Sequence, residues 1–414
     1  MVLFLGGVRV VGKDVMQRKS NAVVFIAMTY PRGGIRHFAL LGNEVYKIQD
    51  RNFDFYVASI SREPDKGFWS TVRSIVPSEN VIETSMFPEL VMRALRLTEC
   101  YNHVVIHTGG GWGQTKHFVR AIRRLGKDKA KRIFLMGTTH SYRIDSWMRI
   151  PMSVFQYVLY RLFYRKIVFQ CQYAADRFVG GNDLIRRGKG VVVPLGCEPF
   201  SEPVDATPQV VAEKGLERIL LNNSLFKFVY LAAFRPGKMH VWLVHAIAPV
   251  LRKHPSARVL LCGKGEQAVV RATEDAVVQE GLQGQILLTG QIPRDEIPWL
   301  LLHSNCALVP SRAETFGHNF LEPMFAGIPV LGTSVGIGRD VIVSGETGYF
   351  FNFRDSASLV GAANMMVEHP DEARRMGWNA KAAVENRFRH SDVARQLVRV
   401  YNHLVLERGK IYGR

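Results

Sequence analysis

Two carboxylates with seven residues between them, Glu314 and Glu322, bracket the stretch Thr315-Phe-Gly-His-Asn-Phe-Leu321. An apolar run ends at Pro310 and a helical pattern begins near His318. Glu314 is therefore expected on a strand-to-helix loop, with the amides of His318, Asn319 and Phe320 at the helix start. Such a helix end binds phosphate through its unpaired amides and its dipole. Glu322 falls about one turn in, roughly 6 Å along the axis, where it reaches a hydroxyl pair while the amides hold an anion. A polyhydroxylated anion suits that geometry. The same spacing serves plain structure equally well, with Glu322 answering the helix dipole and Glu314 solvated in a loop.

The elements that position these groups repeat along the chain. Ala22–Met28, Phe55–Ile60, Val104–His107, Arg132–Met136, Lys166–Gln170 and Val191–Val193 read as short apolar strands, with helical stretches such as 35–45, 115–125 and 174–179 among them. After a Pro-rich, acidic linker at 194–208 the alternation restarts. Strands are expected at 227–232, 258–262, 285–288, 306–309 and 329–332, with helices at about 241–252, 267–280 and 295–302 and from 318 onward. This order implies an α/β chain with two doubly wound parallel sheets, which bind ligands at the carboxyl ends of their strands. The expected boundaries are 1–196, with a basic tail over 1–20, then 197–390, and a closing helix over 391–414 that crosses back to the first domain.

At 414 residues, 47% hydrophobic and 22% charged, the chain has the length for two cores and the composition of a folded protein. Residues 1–200 hold 30 Lys and Arg against 15 Asp and Glu, so most of the net charge of +18 lies in the first half. A field of that sign attracts nucleic acid, anionic membrane or a phosphorylated substrate. Five cysteines, an odd number with no C-x-x-C, argue against a disulfide framework and a zinc site. No apolar run of spanning length is present, and the expectation is a cytoplasmic protein.

Glu314-Thr-Phe-Gly317 followed by Glu322-Pro-Met-Phe-Ala-Gly-Ile-Pro-Val330, with Gly345-Glu-Thr-Gly348 beyond, resembles the mark of the retaining glycosyltransferases of family 4. That resemblance implies the GT-B fold, two Rossmann-like domains facing each other across a cleft, and a nucleoside-diphosphate sugar, carrying UDP or GDP, as donor. It implies that Glu322 holds the ribose, the helix start the diphosphate and Glu314 the transferred sugar, with Phe316 and Gly317 alongside. Ala233-Phe-Arg-Pro-Gly-Lys238 is similar to the family's Arg…Lys turn, so Arg235 and Lys238 are expected to meet the departing diphosphate. The Arg–Lys spacing is shorter than in most members, which leaves Arg235 less secure. Gly263 lies in a glycine turn and Ile292 in the loop Thr289-Gly-Gln-Ile-Pro293, which resembles the one lying against the base.

In the first half, Gly33 and Gly34 resemble the turn that approaches the donor phosphates, and His140 resembles a strand-end histidine contacting the hexose. His107, before Gly109-Gly-Gly111, is a second candidate, on the acceptor side. No Asp-x-Asp occurs, so no metal and no cofactor is expected.

The resemblance implies a metal-independent retaining transfer of a hexose-type sugar to a hydroxyl of a saccharide or lipid-linked saccharide in cell-surface glycan (polysaccharide) biosynthesis. Residues 143–166, dense in aromatics and arginine, suit a peripheral membrane surface of the inner face and suit a buried helix equally. A sugar-nucleotide epimerase of the same fold is the alternative. A nucleic-acid-binding protein is a distant one, since no recognition motif accompanies the charge.

Overall fold

The computed structural model describes residues 4–5, 8–9, 19–26, 35–48, 52–60, 72–109, 112–138, 150–198 and 206–406. The chain divides into two compact units, residues 1–196 with 390–414, and residues 197–389.

The first unit holds a small antiparallel pair, β1 (Phe4–Leu5) and β2 (Val8–Arg9), and a seven-stranded sheet. The sheet strands are β3 (Lys19–Ile26), β4 (Asp54–Ile60), β5 (Val81–Thr84), β6 (Tyr101–Thr108), β7 (Ile133–Thr138), β8 (Tyr164–Phe169) and β9 (Gly190–Val192). They lie in the order β5-β4-β3-β6-β7-β8-β9, every pair parallel. Alternate residues of β3 explain its continuous apolar run. Val23 and Phe25 pack with Leu41, Val45 and Tyr401, whereas Ala22, Val24 and Ile26 pack with Leu90, Leu95, Phe118 and Tyr160. The closing helix His390–Leu406 belongs to this unit and lies against helix Ile35–Ile48.

The second unit holds β10 (Phe226–Leu231), β11 (Ala257–Cys262), β12 (Ile286–Gly290), β13 (Cys306–Val309), β14 (Val330–Gly332) and β15 (Gly348–Phe350) in the order β12-β11-β10-β13-β14-β15, again all parallel. Helix His240–Lys253 buries Leu243, Ile247 and Leu251 against Phe228, Tyr230, Val259 and Leu261 of the sheet.

Strand order reverses between β3 and β6 in one sheet and between β10 and β13 in the other. Loops leaving the two strands of such a pair go to opposite faces, and the gap at their carboxyl ends is where ligands bind. In the second unit those loops carry Arg235–Lys238 and Ser311–Gly317.

Element ends differ from the sequence expectation by a few residues. The helix expected over 115–125 spans Trp112–Arg124, and the strand expected from Lys166 begins at Tyr164, because helix Ile150–Phe163 runs into it without a loop. Strands β5 and β15 and helices Phe87–Arg96, Ser356–Glu368 and Pro370–Glu385 were not expected individually. Among the described residues no helix is long and apolar enough to cross a membrane. The five cysteines are free thiols.

Candidate functional site

The chain leaves β10 at Leu231, passes the exposed Arg235 and tightens into a short 3-10 turn, Pro236–Lys238. Met239 follows at φ 60°, ψ 33°, the one non-glycine residue with positive φ among the described residues, and caps helix His240–Lys253. This turn aims Lys238 at the loop after β13, where its Nζ donates to Oε1 of Glu314. The same oxygen accepts from Ser311 Oγ at 2.7 Å and from Asn319 Nδ2 at 3.4 Å. Oε2 takes no hydrogen bond among the described residues. Lys238's side chain is 24% exposed and Glu314's 10%, so the pair meets solvent chiefly on the lysine side.

Beneath the pair, the buried hydroxyl of Tyr230 lies 2.8 Å from the Lys238 carbonyl and 3.2 Å from Ser311 Oγ. Two hydroxyl protons serve three contacts, and two bonds account for them: Tyr230 donating to the Lys238 carbonyl and Ser311 donating to Glu314. Thr333 Oγ1 donates to the Ser311 carbonyl at 2.6 Å, fixing the loop from β14.

Gly336 closes the other side. At φ +56° its Cα lies so close that a Cβ would fall 2.3 Å from the Phe316 carbonyl oxygen and 2.8 Å from Glu314 Cβ, and the next amide, Ile337, donates to that carbonyl at 2.6 Å. Gly332 and Gly338 face the Phe320 ring in the same way. The sequence reading missed these three glycines; their clustering in Gly332-Thr-Ser-Val-Gly336-Ile-Gly338 is the signal that marks them.

Helix His318–Phe325 begins after Gly317, as expected, and the Phe320 amide turns back to the Gly317 carbonyl at 3.0 Å. Phe316 and Phe320 are buried, and Phe316 meets the His318 ring edge-on at 5.0 Å. Their side chains are packing, so any ligand contact there comes from backbone. Glu322 is buried and accepts from Arg294 Nη2 at 2.9 Å. Burial pushes its carboxyl pKa up, and the Arg294 charge and hydrogen bond pull the other way. Arg294, beyond β12, was also missed.

Ile292 is buried in the loop after β12. Gly263 is a packing glycine: a Cβ there would lie 2.0 Å from the Ala232 carbonyl oxygen, and its amide donates to the Gly290 carbonyl at 2.8 Å. The loops after β10, β11 and β12 are thereby joined. His240, buried and stacked on Phe234 at 4.1 Å, has no hydrogen-bond partner on either ring nitrogen. Burial, helped by the Lys238 charge, brings its pKa down to about 4.

In the first unit Gly33, Gly34 and His140 lie outside the described residues. His107 is corrected from an acceptor-side residue to a core one. Its Nδ1 is 2.6 Å from the Tyr401 hydroxyl and its Nε2 2.7 Å from Thr138 Oγ1, and burial lowers its pKa to about 3. Neither nitrogen is left for a substrate. Helix Ile150–Phe163 divides its side chains: Tyr160 and Leu159 are buried, while Val154, Phe155, Val158 and Leu162 are 42–69% exposed, with Arg161 and Arg165 exposed beside them. Among the described residues no group of His, Cys, Asp and Glu is arranged to hold a metal ion.

Residues 213–383 match the family glycosyl transferases group 1. Over 175 residues the chain is 27% identical to N-acetyl-alpha-D-glucosaminyl L-malate synthase of Bacillus anthracis, covering 42% of this chain and 44% of that protein. Over 126 residues it is 31% identical to alpha-1,3/1,6-mannosyltransferase ALG2 of Dictyostelium discoideum, covering 30% and 29%. The chain thus spans less than half the length of these curated relatives. In fold it is similar to Anabaena Alr3699/HepE, solved in complex with UDP and glucose, at a TM-score of 0.68 and 18% identity over 92% of this chain and 99% of that one. Two Rossmann-like units with these sheet orders are the GT-B fold, and residues 213–383 of the second unit carry the match to glycosyl transferases group 1.

Proposed function

We propose that the chain is a glycosyltransferase that moves a hexose-type sugar from a UDP or GDP donor to a hydroxyl of a saccharide or lipid-linked saccharide, with retention of anomeric configuration and without a metal. The observation that carries this reading is Glu314. One of its oxygens is saturated by Lys238, Ser311 and Asn319, and the other is open to accept a sugar hydroxyl.

When the bond between the anomeric carbon and the diphosphate breaks, negative charge grows on the leaving oxygen. Lys238 and the exposed Arg235, after β10, and the amides at the start of helix His318–Phe325, after β13, supply positive charge from the two sides of the strand reversal. Glu314 is tied down by three donors and holds the sugar, while the buried Glu322 holds ribose. The acceptor hydroxyl attacks from the face the leaving group vacates and passes its proton to the departing diphosphate oxygen. UDP and glucose in the Anabaena protein of the same fold support the donor class.

The acceptor side rests on helix Ile150–Phe163. Its exposed Val154, Val158 and Leu162, with Arg161 and Arg165, suit an anionic membrane surface, and a lipid-linked acceptor of cell-surface glycan synthesis fits that placement. Co-sedimentation with anionic liposomes at low salt tests it, and no binding refutes it.

Turnover of UDP- and GDP-hexoses with a saccharide panel tests the activity, with the anomeric configuration of the product read by NMR. Glu314→Ala should lower turnover at least about tenfold with the fold kept. Near-normal turnover refutes the assignment, and conversion of the donor with no acceptor present points to an epimerase instead.

A further inference from the structure

Lys214 stands at the end of the short helix Gln209–Glu213, and that helix is firmly placed. The carboxylate of Glu296, 9% exposed, accepts from the Val210 amide at 3.1 Å through one oxygen and from the Val211 amide at 3.0 Å through the other. Val211 and Leu216 on either side are buried. Exposed Lys214 is thus fixed at its backbone, and its Nζ lies 3.5 Å from where a Cβ would stand on Gly290, the last residue of β12. The ammonium has no hydrogen-bond or ion-pair partner among the described residues. Burial pushes the Cys262 thiol at the end of β11 up to about 12, against the pull of the Thr289 hydrogen bond and of this Lys214 charge.

Gly290 is the position that allows this approach. It has φ +69°, and its carbonyl is taken by the Gly263 amide, so the turn presents a bare peptide face beside the ammonium.

A nucleotide in the proposed site has one direction in which to extend. Toward β14 the way is filled by Gly336, packed on Phe316 and Glu314. On the other side, Arg294 joins the loop after β12 to Glu322, so a ribose held by Glu322 sets its base against that same loop, which leaves the strand at Gly290.

We infer that Lys214 donates a hydrogen bond to a ring carbonyl of the donor's base and so selects an oxo base, uracil or guanine, over an amino base, cytosine or adenine. The inference rests on the nucleotide-sugar reading of the site. An ammonium carries three donors and no acceptor. Uracil O4 or guanine O6 accepts from it, whereas the cytosine or adenine amine turns hydrogens toward it and leaves both groups unpaired.

Calorimetric titration of UDP, CDP, GDP and ADP into the wild-type chain and Lys214→Met tests this, with thermal unfolding confirming that the variant is folded. The wild type should bind UDP over CDP, or GDP over ADP, by at least about tenfold, and Lys214→Met should bring the pair within about threefold. An equal loss for all four nucleotides makes Lys214 a general anion contact and overturns the inference. An unchanged preference, or none in the wild type, overturns it as well while leaving the nucleotide-sugar reading in place. Failure of all four to bind the wild type removes both.

Discussion

Lys238 and Glu314, 76 positions apart, meet across the strand reversal of the second unit, ammonium to carboxylate. Each sits on the loop that follows one of the two central strands, and Tyr230 and Ser311 support the pair from below. Drawing both charges largely out of water costs desolvation that offsets much of their attraction, so the pair adds little net stability. Its consequence is positional: one carboxylate oxygen is held by three donors and the other takes no hydrogen bond among the described residues.

Gly336→Ala should displace that carboxylate. The added methyl would meet the Phe316 carbonyl and Glu314 Cβ at distances no contact tolerates, in a backbone region that disfavours any side chain. Stability should fall by about 2 kcal/mol, and turnover should fall at least about tenfold in protein that remains folded. Denaturant midpoints and sugar-transfer rates measure the two, and unchanged values would show that the loop does not position Glu314.

Met239→Gly should stabilise the chain. Met239 adopts a left-handed conformation and offers no side-chain cap to the helix it precedes, whereas glycine accepts that conformation freely. A gain of about 1 kcal/mol is expected in urea unfolding. A loss would mean that Met239 packing outweighs its backbone strain.

The pH dependence of the second unit should follow His240. Its pKa, near 6.5 in the unfolded chain, drops to about 4 when folded, so the unfolded chain takes up a proton that the buried ring refuses. Stability is full above about pH 6.5 and is lost as pH falls toward 4, by on the order of 2 kcal/mol at pH 5. His240→Phe keeps the stacking on Phe234 and removes the titrating group. Urea midpoints of the variant at pH 7 and pH 5 should differ less than those of the wild type, and an equal difference would assign the loss elsewhere.

Much of the second unit was legible in sequence because its strands are short apolar runs and its charged residues fall just after them. Strand Cys306–Val309 and the helix starting at His318 stand where the pattern puts them. The supports of the site were not legible. Ser311 to Tyr230, Arg294 to Glu322 and Gly336 to Phe316 are contacts between segments far apart in the chain, and local spacing carries no trace of them. His107 shows the converse: a strand-end histidine beside a glycine loop has the pattern of a ligand, yet Tyr401, from the far end of the chain, turns it into core. Helix Ile150–Phe163 was ambiguous in sequence because its apolar residues run all round, buried at Leu159 and Tyr160 and exposed at Val158 and Leu162.

The most direct test is the release of nucleoside diphosphate from UDP- and GDP-hexoses by the wild-type chain, Lys238→Ala and Glu314→Ala, with thermal unfolding as the control. The wild type should release one of the two diphosphates in the presence of a saccharide acceptor, and each variant should do so at least about tenfold more slowly at an unchanged unfolding temperature. Release by both folded variants at the wild-type rate would contradict the placement of the reaction at the Lys238–Glu314 pair.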